Sequence, residues 1–303
     1  MVVYMKYKIE NILEKITKQI LPACKSKHEA EQQAKWLLEE LTQKKYAHLV
    51  AQKEFSLNEK QEKKLNEWIN LRVNEKKPIQ YIIGYIPFLN LKIKTKPPIL
   101  IPRPETEEWT NWLIKKLKDV KINTFPKEIR ILDIGTGSGC IALSLAKNLP
   151  DSFVIGTDIN PKAIELAQEN KILNNVENVK FMVSNFYNNL DSEYKFDIIV
   201  SNPPYICEYE WDNLDETIKK WEDKKALVAN KDCLHAYKII ISEAKSHLRE
   251  NYNLEKDNID RIFLEIGENQ SKDIKILFVK NTFKNISFFK DLEGKQRVIS
   301  ARF

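Results

Sequence analysis

Apolar side chains recur at helical spacing through the first quarter of the chain and in short β-branched runs beyond residue 130. Ile9, Ile12, Leu13, Ile16 and Ile20 mark one face of a helix, and Trp36-Leu37-Leu38 with Leu41 mark another. Ser56-Leu57-Asn58-Glu59 has the form of a capping box, opening a helix that carries Leu65, Trp68, Ile69 and Leu71. This first part reads as a small all-α helical bundle. Tyr85-Ile86-Pro87-Phe88-Leu89-Asn90-Leu91-Lys92-Ile93 predicts a hairpin. From Pro104 the pattern is a helix and then alternating strands and helices, the order of an α/β fold. Ile286–Phe289 and Arg297–Ser300, separated by Gly294, predict an antiparallel pair at a sheet edge. The expected division is a helical domain over 1–77, a hairpin linker over 78–103 and a second domain over 104–303. No internal repeat is present.

Chemistry-bearing residues gather at the ends of the predicted strands. Phe196-Asp197-Ile198-Ile199-Val200 is a buried-strand pattern that runs into Ser201 and then Asn202-Pro203-Pro204-Tyr205. Two prolines cannot continue a ladder, and each holds the residue before it extended. The chain therefore leaves the sheet in a stiff shape at a carboxyl end, where open α/β sheets bind ligands. The Asn202 amide oxygen and the Pro203 carbonyl make a fixed pair of acceptors, suited to gripping both hydrogens of an NH2 group. Read alone, the motif is equally a rigid turn. Upstream, Ile131-Leu132-Asp133-Ile134 leads into Gly135-Thr136-Gly137-Ser138-Gly139 and a helix from Cys140. The Gly-x-Gly-x-Gly spacing differs from that of dinucleotide binders, and no Lys follows to hold a phosphate. The next strand, Phe153–Thr157, ends in Asp158, about twenty residues on, where an acid binds ribose hydroxyls. Val179–Val183 leads to Asn185 and Phe186, placed to reach and stack on a base. Each feature has a plainer structural reading: a tight connection, an N-cap, a core aromatic. Together they point to an adenosine ligand without a pyrophosphate.

Composition narrows the class. A chain of 303 residues is long enough for two cores. No apolar stretch approaches membrane-spanning length, and neither a signal peptide nor a transit peptide is evident. Cys24, Cys140, Cys207 and Cys233 form no Cys-x-x-Cys, so neither zinc nor a disulfide framework is expected, and the expected compartment is a reducing cytosol. His28, His48, His235 and His247 are scattered, and no metal is expected. Residues 1–100 carry 19 Lys/Arg against 11 Asp/Glu, and residues 101–303 carry 30 against 32, so the net charge of +6 is +8 in the first third and −2 in the rest. A basic helical domain suits docking to an acidic protein or a nucleic acid, although lysines on helix faces are ordinarily just solvated.

Asp133-Ile-Gly-Thr-Gly-Ser-Gly139, Asp158 and Asn202-Pro-Pro-Tyr205 are similar to motifs of class I S-adenosylmethionine-dependent methyltransferases acting on planar nitrogen. With Leu100-Ile101-Pro102-Arg103-Pro104-Glu105-Thr106-Glu107 the chain resembles the HemK/PrmC family of peptide chain release factor N5-glutamine methyltransferases. Pro78–Gly84, Ala226–Ala229 and Arg297–Ile299 extend the likeness. The resemblance implies a Rossmann-like, seven-stranded sheet with an antiparallel last strand, S-adenosylmethionine as cofactor, and the Gln of a Gly-Gly-Gln loop in a class 1 release factor as substrate. A cytoplasmic enzyme without a stable nucleic-acid partner is expected, and nothing in the sequence demands more than a monomer. Asn202, Pro203, Pro204 and Tyr205 are the expected catalytic residues. Gly135, Thr136, Gly137, Ser138, Gly139, Asp158, Phe186 and Asn202 are the expected cofactor contacts. Arg103 and Glu105 are expected to close over the cofactor or to clamp the domains by pairing with each other, and Glu265 to be structural. Two rivals remain open at this stage: an adenine-N6 methyltransferase, whose exocyclic NH2 fits the same acceptors, and a non-catalytic cofactor-binding docking module.

Overall fold

The computed structural model describes residues 4–52, 54–119, 128–191, 193–229, 231–249 and 259–302. The chain forms two compact units: Met1–Gly84 with Asp215–Trp221, and Tyr85–Leu214 with Glu222–Phe303. The boundary thus falls seven residues past the expected 77, and the segment 215–221, far along the chain, belongs to the first unit. There Trp221 Nε1 and Lys220 Nζ donate to the Glu75 carbonyl at 3.0 and 2.9 Å.

In the first unit, helix Ile9–Ile20 buries Ile9, Ile12, Ile16 and Ile20 against Leu37, Leu38 and Leu41 of helix Lys27–Thr42, as the spacing predicts. Ser26 caps the second helix by accepting from Glu29 N. The expectation of an all-α bundle needs correction. Strand β1 (Tyr4–Lys8) pairs antiparallel with β2 (Glu54–Asn58), and Phe55 and Leu57 face the core while Glu54 and Ser56 face water. The capping box is also displaced. Ser56 lies inside β2, and the reciprocal pair is Asn58 with Gln61, opening helix Glu59–Val73. A five-residue alternation is a weak signal, and its partner strand lies some fifty residues away, so sequence pattern alone favoured the helix.

The second unit opens with a hairpin, β3 (Tyr85–Phe88) and β4 (Leu91–Lys94). It is part of the unit and not a free linker, since Phe88, Leu91 and Ile93 share one core with Trp109 and Leu113. Asn170, on helix Pro161–Leu173, and Asn174, at its C-terminal cap, bond the backbone of Lys94 and Lys92 through both ends of their amides. The main sheet comprises β5 (Ile129–Ile134), β6 (Ser152–Asp158), β7 (Val179–Val183), β8 (Ile198–Ser201), β9 (Ile262–Glu265), β10 (Lys284–Lys290) and β11 (Gln296–Arg302). Their order is β10-β11-β9-β8-β5-β6-β7, parallel except for the antiparallel β10–β11–β9 edge. Apolar clusters cover both faces of this sheet, which is why its central strands read as unbroken β-branched runs. Successive strands leave β5 in opposite directions, so a switch point falls between β5 and β8. No described helix is long and apolar enough to cross a membrane.

One cysteine expectation is overturned. Cys207 and Cys233 are joined as a disulfide, their Cα atoms 4.8 Å apart, while Cys24 and Cys140 are free. A spacing of 26 residues carries no sequence signal; the loop leaving the sheet brings the pair together.

Candidate active site

Sheet register aligns the chemistry. Ile134 lies beside both Thr157 and Ser201, Asp158 beside Val183, and Ser201 beside Leu264. The residues that follow these positions therefore emerge side by side at the carboxyl edge. The Ser201 hydroxyl donates to the Ile134 carbonyl at 2.7 Å and ties the two central strand ends together.

The glycine-rich turn is built from the inside. Asp133, with no solvent exposure, accepts on Oδ2 from the Thr136 hydroxyl at 2.6 Å and from Ala142 N at 3.2 Å, pinning the turn to the helix that follows. Gly135 and Gly137 take positive φ, +72° and +54°, and a Cβ on either would point into space empty but for the Asn202 carbonyl 3.9 Å from Gly135. Those two glycines line an opening. Gly139 has a packing role, since a Cβ there would meet Ala167 and Phe181 at 3.0 Å. Asp158 accepts from Gly137 N at 2.9 Å and from Asn160 N at 2.8 Å, which fixes its carboxylate beside the turn. Ser138 is buried within the turn. Ser184 N donates to the Asp158 carbonyl and its hydroxyl to the Phe186 carbonyl, bringing Phe186 to the same edge. Phe186 holds a φ of +51°, a costly shape for a bulky residue.

Asn202 follows β8, half-buried, and its Nδ2 donates to Thr106 Oγ1 at 3.2 Å. Thr106 Oγ1 donates in turn to Glu265 Oε2 at 2.7 Å, and Trp109 Nε1 donates to the same oxygen at 2.7 Å. Pro203 is buried, and Tyr205 is anchored through its carbonyl, which accepts from Gln270 Nε2 at 2.7 Å. Beyond it, Ile206 N donates to the Leu227 carbonyl and Ala229 N to the Ile206 carbonyl. The Ala226–Ala229 motif thus serves to stiffen the exit of the loop.

Burial dominates the electrostatics. It raises the Asp133 carboxyl to about 7 against its hydrogen bonds, and raises Asp158 as well. The Glu265 carboxyl is pushed up by burial, opposed by the bonds from Trp109 and Thr106. The Tyr205 hydroxyl is raised to about 12 by burial and by the nearby Glu265 charge.

Arg103 does not pair with Glu105. Its Nη2 lies 2.6 Å from Oε2 of the buried Glu222, while Glu105 lines a 370 Å³ cleft with Glu107, Glu108, Asp291 and Glu293. Glu105 is still near enough to the candidate site for its charge to raise the Glu265 and Tyr205 groups. Sequence reasoning passed over Thr106 and Trp109, although their i, i+3 spacing on one helix face was a signal available to it.

Family profiles match two stretches of the chain. The PrmC N-terminal domain profile matches residues 15–84 and the methyltransferase small domain profile residues 105–219. A release factor glutamine methyltransferase of Flavobacterium psychrophilum is 38% identical over 88% of this chain and 90% of its own length. The chain belongs to the release factor glutamine methyltransferase family. Another member, from Fusobacterium nucleatum, is 41% identical over 81% of this chain and 66% of its own length. Among solved structures, the hMettl16 catalytic domain in complex with the MAT2A 3'UTR hairpin 6 superposes with a TM-score of 0.51, covering 82% of this chain and 84% of that one. At 14% identity that likeness speaks for the fold alone, the class I methyltransferase sheet that the family shares.

Proposed function

We propose that this protein transfers the methyl group of S-adenosylmethionine to the side-chain amide nitrogen (N5) of the Gln in the Gly-Gly-Gln motif of a class 1 peptide chain release factor. The observation that carries the reading is the meeting of the glycine turn and Asn202 at one switch point, with the Asn202 carbonyl 3.9 Å from where a Gly135 Cβ would lie. The residues present suit the cofactor. Gly135 and Gly137 leave room for it, Asp158 has oxygen lone pairs to spare for ribose hydroxyls, and Asp133 Oδ1 is buried with no hydrogen-bond partner. Gly135, Thr136, Gly137, Ser138, Gly139, Asp158 and Phe186 would hold it, Phe186 by stacking on the adenine.

When bound, the sulfonium cofactor supplies a methyl group already activated as an electrophile. The task of the protein is to make a poor nucleophile attack it. An amide nitrogen shares its lone pair with its carbonyl, so its orientation must be fixed. The Asn202 side-chain oxygen and the Pro203 carbonyl accept its two N–H bonds, and they favour the positive charge that grows on nitrogen as the methyl arrives. Positioning of this kind contributes on the order of 7–11 kcal/mol to well-oriented reactions. Tyr205 packs against the amide plane and excludes water. No general base is required, because the methylated nitrogen loses its proton readily afterwards.

The test offers radiolabelled S-adenosylmethionine with a Gly-Gly-Gln release factor and adenine-bearing nucleic acid in parallel. Label on the protein, lost when that Gln is changed, is the expected result. Label on nucleic acid alone overturns the reading in favour of an adenine-N6 enzyme.

A further inference from the structure

The grip just described works only if Asn202 presents its oxygen. An asparagine amide has two ends of nearly the same shape, one an acceptor and one a donor. Turned over, Asn202 would aim an NH2 at the substrate NH2, donor against donor, and the site would repel what it should hold. Something must therefore set which way the amide faces, and three buried residues outside the Asn-Pro-Pro-Tyr motif do this.

The argument runs outward from Glu265. Trp109 Nε1 is a donor with no acceptor capacity, and its 2.7 Å contact makes Glu265 Oε2 an acceptor. Thr106 Oγ1, 2.7 Å from the same carboxyl oxygen, has one proton, and that oxygen, already accepting from Trp109, takes it. What Thr106 then shows to Asn202 is lone pairs only. The group of Asn202 that meets Thr106 Oγ1 at 3.2 Å has to be the NH2, which leaves the oxygen Oδ1 on the opposite side. The polarity of the chain, carboxylate to hydroxyl to amide, is fixed by chemistry and not by shape. Thr106 is 2% exposed and Glu265 3%, so water cannot reset it. The backbone supports the wiring: Thr110 Oγ1 donates to the Thr106 carbonyl, and Tyr237 OH donates to the Glu265 carbonyl at 2.8 Å. Glu265 sits one residue beyond the register pair Ser201–Leu264, level with Asn202.

We propose that Thr106, held by Glu265, is a positioning residue that turns the Asn202 amide so that its oxygen faces the reacting nitrogen. The inference rests on the reading of Asn202 as the substrate acceptor and goes beyond it by assigning what orients that acceptor. Thr106→Val keeps the shape and removes both the donor and the acceptor. It should lower kcat by about 10- to 100-fold, the range seen when a group that orients a reacting residue is lost. Affinity for S-adenosylmethionine should stay within about twofold, and Thr106→Ser, which keeps the hydroxyl, should restore most of kcat.

The deciding experiment is a double-mutant cycle of Thr106→Val and Asn202→Ala, read as single-turnover methyl transfer alongside cofactor affinity and melting temperature. If Thr106 acts through Asn202, the double variant is no slower than Asn202→Ala alone. A further loss comparable to that of Thr106→Val in the wild-type background would assign Thr106 a separate structural role and overturn the proposal. So would a wild-type rate in Thr106→Val beside a crippled Asn202→Ala. Near-normal turnover in Asn202→Ala is a different failure, that of the grip itself. Should Thr106→Val not fold, the same cycle is run with Thr106→Ala, with the same outcomes deciding.

Discussion

Asp133 is a carboxyl group without access to water and with one oxygen lacking a hydrogen-bond partner. Burial raises it from 3.8 to about 7, so the folded state holds a proton that the unfolded chain gives up near pH 4. The sign follows from linkage: the contribution of this group is fully present below about pH 4 and is lost as pH rises through 7. Three pKa units correspond to about 4 kcal/mol. Denaturant unfolding of the wild type and Asp133→Asn, compared at several values between pH 4 and 8, should show the wild type losing ground as pH rises. A difference independent of pH would mean that the carboxyl is not raised. The sequence marked Asp133 as the start of a ligand turn, but its state of charge follows from a burial that no local pattern reveals. The same holds for Asn202. Asn-Pro-Pro-Tyr suggests it as an acceptor, while the partner its amide meets, Thr106, is held by Glu265, 159 residues further along the chain.

At the scale of elements, the glycine turn and β6 fit together with little room. A Cβ on Gly156 would lie 2.6 Å from the Phe181 ring and 2.8 Å from Thr136 Oγ1. Gly156→Ala should therefore cost about 1–3 kcal/mol through overpacking. A drop of several degrees in melting temperature, partly recovered by pairing it with Phe181→Leu, is the expected result. An unchanged melting temperature would show that the ring moves aside freely. The central strands were readable because both of their faces are buried, which turns alternation into continuous apolar runs. β1 and β2 were not, because five residues of alternation gain meaning only when a partner strand is known. The capping box moved by two residues for the same reason: Ser56 has the right side chain, but pairing with Lys6 commits it to a strand.

For the whole molecule the uneven charge is the feature that sequence supplied most directly. If the lysines of the first hundred residues attract an acidic protein partner, raising salt from low to about 0.5 M, where the screening length falls to a few ångströms, should raise KM for the release factor several-fold. Cofactor affinity should hardly change. Steady-state kinetics at several ionic strengths would check this, and a salt-insensitive KM would assign those lysines to solvated surface. The allotment of residues 215–221 to the helical unit was beyond sequence reasoning, since nothing in the short helix Glu216–Trp221 marks it as different from the short helices on either side. The Cys207–Cys233 bond was equally hidden, its partners separated by 26 residues and by three short helices.

Sequence by itself determined the class of the fold, the order of strands and helices in the second unit, and the short segments proposed to carry chemistry. Each of these is written in local periodicity, in glycine and proline, and in runs of a few residues. Tertiary structure decided which of those segments meet, which charged groups lose water, and which neighbours orient them. Arg103 finds Glu222 instead of Glu105, and Asn202 finds Thr106, because contacts across 119 and 96 residues of chain are set by sheet register and burial. Hydrogen-bond polarity and pKa depend on the completed surroundings of a group, and those exist only once the chain has folded.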